Sequence, residues 1–214
     1  MKKTLLLACT IISFATISHA QIKKGSVLLG GSVGASSVKL ETNSSERKAK
    51  SINISPAIGF AVKENLVTGV TTSFITYKSD PNIYGNKLDY DGFSTGLFAR
   101  RYFPLSKSFY LYGNADVNFH KFSRDEISST DYRTKTSSKG ISLSIEPGIT
   151  YAVSKRFHLE AALSDLFNAS YSKSKREEVT ISGSTTTNER NFNIGANLNT
   201  SNLFYIGFRL VLGK

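Results

Sequence analysis

The sequence predicts an all-β chain, an eight-stranded antiparallel up-and-down transmembrane barrel, preceded by a cleaved targeting segment. Three observations carry this. Eight segments alternate apolar and polar residues with period two, which is the signature of half-buried strands. The connections between them alternate short and long. Beyond residue 20 no stretch holds the roughly 18 consecutive apolar residues of a spanning helix, and only helices and closed barrels satisfy their backbone groups in lipid.

The chain opens with Lys2 and Lys3, a mostly apolar run from Leu5 to Ile17, and Ser18-His19-Ala20, with small residues at the −3 and −1 positions of a cleavage site. This reads as a signal peptide over 1–20 and a single barrel domain over 21–214. Leu6-Leu7-Ala8-Cys9 offers a competing lipobox, but the apolar region before Cys9 would be truncated. Cys9 is the only cysteine, so cleavage leaves a chain without disulfides or thiolate metal sites. Removing Lys2 and Lys3 lowers the formal net charge from +11 to +9.

Four segments alternate cleanly. Ile52, Ile54, Ile58, Phe60 and Val62 share one face of the first. Phe109, Leu111, Ala115, Val117 and Phe119 share one face of the second, and Ile141, Leu143, Ile145, Ile149, Tyr151 and Val153 one face of the third. The fourth runs from Asn191 to Leu212, with a bulge or bend expected at Asn199 to Asn202. Weaker strands are expected over 25–37, 66–77, 90–103 and 156–171. The total is even, as a single-chain antiparallel barrel needs.

Short turns are expected at Lys63-Glu64-Asn65, Pro104–Ser108 and Ser154-Lys155-Arg156, and long polar loops over 38–50, 78–89, 123–139 and 172–189. Short turns on one side and long loops on the other are the outer-membrane pattern, periplasm and exterior respectively. The apolar series resume after gaps of three, five and three residues across the short turns. Odd gaps keep the outward phase continuous through each hairpin, as register requires.

Alternation alone does not say which face is inside. A lipocalin-like barrel is apolar within, and a membrane barrel is the reverse. Here the polar face carries glycine, hydroxyl and amide residues and few charges, whereas a water-exposed surface is about a quarter to a third charged. Aromatics gather at strand ends: Phe60, Tyr77, Tyr90, Tyr102, Phe103, Phe109, Phe119, Tyr151, Phe157 and Tyr171. That is where interfacial girdles lie. Each strand keeps about nine to eleven alternating residues, enough to cross the hydrocarbon at a tilt.

Certain stretches carry a family resemblance: Lys24-Gly25-Ser26-Val27-Leu28-Leu29-Gly30-Gly31, Ile54-Ser55-Pro56-Ala57-Ile58-Gly59-Phe60, Phe98-Ala99-Arg100-Arg101-Tyr102-Phe103 and Asn202-Leu203-Phe204-Tyr205-Ile206-Gly207-Phe208. The chain resembles the small, porin-like outer-membrane β-barrel domain family of Gram-negative bacteria. The resemblance implies residence in the bacterial outer membrane and insertion by the barrel-assembly machinery. Many such chains end on an aromatic residue; this one ends Leu210-Val211-Leu212-Gly213-Lys214, so Phe208 and Leu212 stand in for it.

The polar phase collects Arg100, Asp116, Glu146, Glu160 and Arg209, with His120 and His158. An eight-stranded lumen is just wide enough for side chains to fill, and buried charges must pair or be hydrated. A structural polar network that plugs the lumen is therefore expected, ahead of a narrow porin-like conduit. No catalytic, cofactor or metal site is expected. A lipid A-modifying enzyme would need Ser, His and an acid. The pair His120 and Ser123 points to opposite faces if the strand continues. Asp165 falls on the lipid phase, where a bulge is expected to turn it inward. The polar loops carry Lys39, Arg47, Lys48, Lys50, Lys121, Arg124, Arg133, Lys135, Lys173, Lys175 and Arg176, a basic rim suited to lipopolysaccharide phosphates or to plain solvation. No nucleic-acid motif occurs. The expectation is a monomeric, non-enzymatic barrel in contact with outer-membrane lipid and lipopolysaccharide, with a structural and surface-interaction role.

Overall fold

A computed structural model describes residues 22–42, 45–79, 86–129, 132–163, 166–196 and 204–213. Ten strand segments follow in order: β1 (Val27–Thr42), β2 (Ser45–Lys63), β3 (Leu66–Ser79), β4 (Lys87–Pro104) and β5 (Phe109–Ser129). After these come β6 (Tyr132–Ala152), β7 (Phe157–Leu163), β8 (Phe167–Thr180), β9 (Gly183–Ala196) and β10 (Phe204–Leu212). All pairings are antiparallel, β6 pairs with both β7 and β8, β10 pairs with β7, and β1 closes the ring by pairing Val27–Gly31 with Phe208–Leu212 of β10. The ten segments make a closed barrel of eight strands, because β7 with β8 forms one staff and β9 with β10 the next.

Both broken staves carry insertions. On β6, Gly148 pairs with Ala162 and Ile145 with Phe167, so three steps of β6 face five of β7–β8. A bulge of two residues results, although Asp165 itself lies outside the described residues. Opposite it, Leu163 pairs with Phe204 and Phe167 with Ala196, so four steps face eight. The bend expected at Asn199 to Asn202 falls in this interval, outside the described residues.

The short turns lie where expected, between β2 and β3, β4 and β5, and β6 and β7. Asn65 takes a left-handed φ of 56° in the first, a conformation that asparagine tolerates better than most residues. Its Oδ1 accepts from the backbone N–H of Ile22, and its own N–H donates to the Ile22 carbonyl. Ile22 thereby folds across the short-turn end of the barrel and is buried.

The long polar stretches differ from expectation. Over their described residues they are largely strand, with β5 and β6 laddered as far as Ser129 and Tyr132, and β8 and β9 as far as Thr180 and Gly183. A hairpin satisfies its backbone groups without an apolar face, so the ladder outlasts the hydrophobic pattern. The basic residues expected on loops therefore lie on strands.

The polarity is inverted relative to a water-soluble barrel. Ile52, Ile54, Phe74, Leu97, Leu111, Val117, Ile145, Ile206 and Phe208 are exposed on the outside. Arg100, Asn114, Asp116, Ser144, Glu160 and Arg209 are buried within. From the Phe109–Tyr151 pair to the Phe119–Ile141 pair β5 advances ten residues. At about 3.4 Å per residue and a tilt of about 40°, that is roughly 26 Å along the axis, the height of an outer-membrane apolar band.

The aromatic girdle needs correction at three positions. Tyr102 is 1% exposed and lies inside the barrel. Tyr77 and Tyr90 are register partners on the inner phase, and Tyr90 stacks on Phe122 at 5.5 Å. Collecting aromatics near strand ends ignored their phase, which separates lumen from lipid.

Candidate functional site

The lumen is divided into a filled floor and an open vestibule. The floor lies near the short turns, where Tyr102, Tyr110, Tyr112, Phe98, Leu28, Val67 and Ile22 pack together. Tyr102 meets Tyr110 edge-on at 6.1 Å and Tyr112 at 5.7 Å. Small residues make room for these rings. A Cβ on Gly69 would overlap the Ile58 carbonyl and come within 2.8 Å of the Phe98 ring.

Across this floor runs a charged bar. Arg100 on β4 donates from Nη1 to Glu160 Oε2 on β7 at 2.7 Å, and Arg209 on β10 donates from Nε to both Glu160 oxygens at 2.8 Å. The Tyr102 hydroxyl donates to Glu160 Oε1 at 3.1 Å. Side-chain exposure is 3% for Arg100 and Glu160 and 6% for Arg209. β7 and β10 are neighbours, but β4 and β7 face each other through the lumen, so the Arg100–Glu160 bond spans the barrel. The Arg100 guanidinium lies 4.1 Å from the Tyr112 ring centroid and that of Arg209 lies 5.6 Å from Phe98, attractive placements for a desolvated cation.

A second branch leads upward. Arg100 Nε donates to Asn114 Oδ1 at 3.2 Å, and Asn114 Nδ2 donates to Asp116 Oδ2 at 3.1 Å. Asp116 also accepts from Ser144 Oγ at 2.8 Å and from Asn118. Asp116 and the bar are thus one network. Glu146, opposite Asn114 in register, lines the vestibule wall above. Sequence phase placed all five charged residues in the lumen but missed Tyr102 and Asn114, which join them. Their inward phase was readable; their heights were not.

Above the bar is a cavity of about 500 Å³, lined by Ser32, Ser55, Ser94, Ser144, Asn53, Asn168 and the upper faces of Asp116, Glu160 and Arg209. His120 also lines it, stacked on Phe122 at 5.1 Å. His158 lies lower, stacked on Tyr110 at 6.0 Å. Ser123 falls on the outward phase beside Asp91 and Ser137, so it does not meet His120. Among the described residues no group of three His, Cys, Asp or Glu side chains is arranged to hold a metal.

No protein-family profile matches the chain, and no curated protein matches it. Solved structures do. The outer membrane protein OprG from Pseudomonas aeruginosa aligns with a TM-score of 0.52 over 90% of this chain and 98% of its own, at 15% identity. The fold is that of a small outer-membrane β-barrel. Neisserial surface protein A (TM-score 0.40, 19% identity, 87% of this chain and 97% of its own) is also similar. So is a major outer membrane protein from Thermus thermophilus (TM-score 0.45, 13% identity, 91% of this chain and 100% of its own). In this barrel, closure, inverted polarity and short-turn placement follow from the chain's own residues.

Proposed function

We propose that the protein is an integral, non-enzymatic barrel of the bacterial outer membrane, delivered there through its signal peptide. Its membrane-embedded part is a rigid, plugged post that carries long hairpins outward for contact with surface ligands and lipopolysaccharide. One observation carries this reading: apolar side chains cover the outside over a band of membrane height, while the Arg100–Glu160–Arg209 bar and the tyrosines beneath it fill the lumen. Such a polarity has no stable arrangement in water, because large apolar side chains would stand unburied around the whole circumference.

The plug argues for a post over a conduit. A solute descending through the 500 Å³ vestibule meets a desolvated ion bridge backed by packed rings. The enzyme reading has little support, since His120 lacks its serine partner and stacks on Phe122.

Two measurements test this. Membrane fractionation with gel migration before and after boiling is expected to show an outer-membrane protein whose mobility changes on heating; a soluble protein of unchanged mobility would defeat the proposal. Planar bilayers are expected to show no steady conductance. Reproducible ion-selective steps would replace the post with a channel.

A further inference from the structure

The outer surface carries a row of four cations in strict cross-strand register. Lys121 on β5 pairs with Lys139 on β6, Lys139 with Lys173 on β8, and Lys173 with Arg190 on β9. All four are exposed on the outward phase. Directly below runs a matching row, Phe119, Ile141, Tyr171 and Phe192, again partner to partner and outward. The next outward row above is Ser123, Ser137, Lys175 and Asn188, which adds a fifth cation and no acid.

Like charges directly opposite one another on a sheet are unfavourable. Elsewhere on these hairpins three arginines are neutralised: Arg124 by Glu126, Arg133 by Asp125 and Arg176 by Glu178. Among the described residues, none of the four in the row forms an ion pair with a carboxylate. On the adjoining strand the outward carboxylate of Asp91 accepts from Thr76 at 2.8 Å. The row also has a defined offset from the apolar row. Each cation stands two residues beyond the apolar residue below it on its own strand, or roughly 5 Å along the axis, where lipid headgroups begin.

We infer that the β5–β6–β8–β9 face is a binding site for the phosphates of a lipid headgroup in the surrounding leaflet. The ammonium and guanidinium groups would take the phosphate oxygens, while the acyl chains lie on Phe119, Ile141, Tyr171 and Phe192. The anion supplies the neutralisation that the chain itself omits. This deepens the outer-membrane reading and rests on it.

Purified lipid A, bound to the barrel in phosphatidylcholine nanodiscs, is the probe, with its dephosphorylated form as comparison. Each cation near such a surface contributes enough that K121Q/K139Q/K173Q is expected to weaken lipid A binding about a hundredfold. K63Q/K107Q/K155Q, on the three short turns, is expected to bind as the parent does. Dephosphorylated lipid A is expected to bind the parent and K121Q/K139Q/K173Q alike. With no lipid A present, K121Q/K139Q/K173Q is expected to unfold at the parent's temperature or above it, since repulsion has been removed; K139Q/K173Q gives a milder form of the same test. Equal lipid A binding by parent and variant overturns the inference. So does competition by inorganic phosphate at concentrations that match lipid A, which would assign the row to free phosphate. Fractionation separates the two proposals. A barrel found outside the outer membrane defeats the functional reading whatever the binding ratio, and an outer-membrane barrel with a ratio near one defeats this site alone.

Discussion

Replacing Glu160 by glutamine would remove the carboxylate that Arg100 and Arg209 share while leaving the shape of the side chain in place. Two guanidiniums, 3% and 6% exposed, would then share a desolvated site with an amide. Glu160 presently accepts from Arg100 at 2.7 Å and from Arg209 at 2.8 Å, and each hydrogen bond to a charged group contributes about 1.5–3 kcal/mol. Breaking a buried pair by removing one partner costs about 3–5 kcal/mol, and here two cations lose the same carboxylate, which favours the upper half of that range. With a urea slope of about 2 kcal/mol per M, the unfolding midpoint should fall by about 2 M. The assay is urea unfolding of the lipid-reconstituted barrel, followed by the heat-sensitive gel shift. Adding Arg209→Gln to the variant should recover part of the loss, because one of the two cations goes with it. A midpoint within about 0.3 M of the parent for Glu160→Gln would refute the view that the ion bridge holds the floor together, and would point to the tyrosine packing as sufficient.

Three further outcomes are expected. Ile145→Lys, on the exposed apolar face, should destabilise the reconstituted barrel by about 2–4 kcal/mol if it lies near the bilayer midplane, while Leu105→Lys in a short turn should be near neutral; equal effects in urea titrations would argue against an embedded band. Gly69→Ala should destabilise by about 1–3 kcal/mol, since its Cβ would meet the Ile58 carbonyl and stand 2.6 Å from the Gly59 Cα, whereas Gly113→Ala meets nothing within 4 Å and should be silent in the same titration. Above the membrane band, hydrogen bonding from Arg133, with Nε donating to Asp125 Oδ1 at 2.8 Å, holds the Asp125 carboxyl below the usual carboxylate range. A depressed folded value means the contribution is present above the unfolded value and fades as pH falls through the folded one. The protection factor of the amides at the β5–β6 tip, relative to the intrinsic exchange rate at each pH, should therefore fall on acidification, by a small factor because the pair is exposed, and Asp125→Asn should remove that dependence.

Phase was legible from the sequence and height was not. Arg100, Asp116, Glu146, Glu160 and Arg209 all lie on the lumen side that their alternation indicates. That Arg100 meets Glu160, 60 residues away and across the barrel, could not be read, because it depends on strand tilt and stagger. Tyr77, Tyr90 and Tyr102 leave the girdle for a related reason: odd or even position along a strand, and not nearness to its end, decides between lumen and lipid. The long polar stretches read as loops in the sequence because their hydrophobic pattern stops, although β5–β6 continues as a ladder to the Ser129–Tyr132 pair. The cationic row has the same character, since Lys121, Lys139, Lys173 and Arg190 are scattered in the chain and become neighbours only once register is known.

By itself the sequence determined the strand count, the short-turn positions, and which side chains face inward, because a period of two is a local property that each strand carries alone. The tertiary structure decided which inward groups touch and which outward groups form rows. Those depend on how far each strand slides past the next, a quantity summed around the closed ring and written in no single segment.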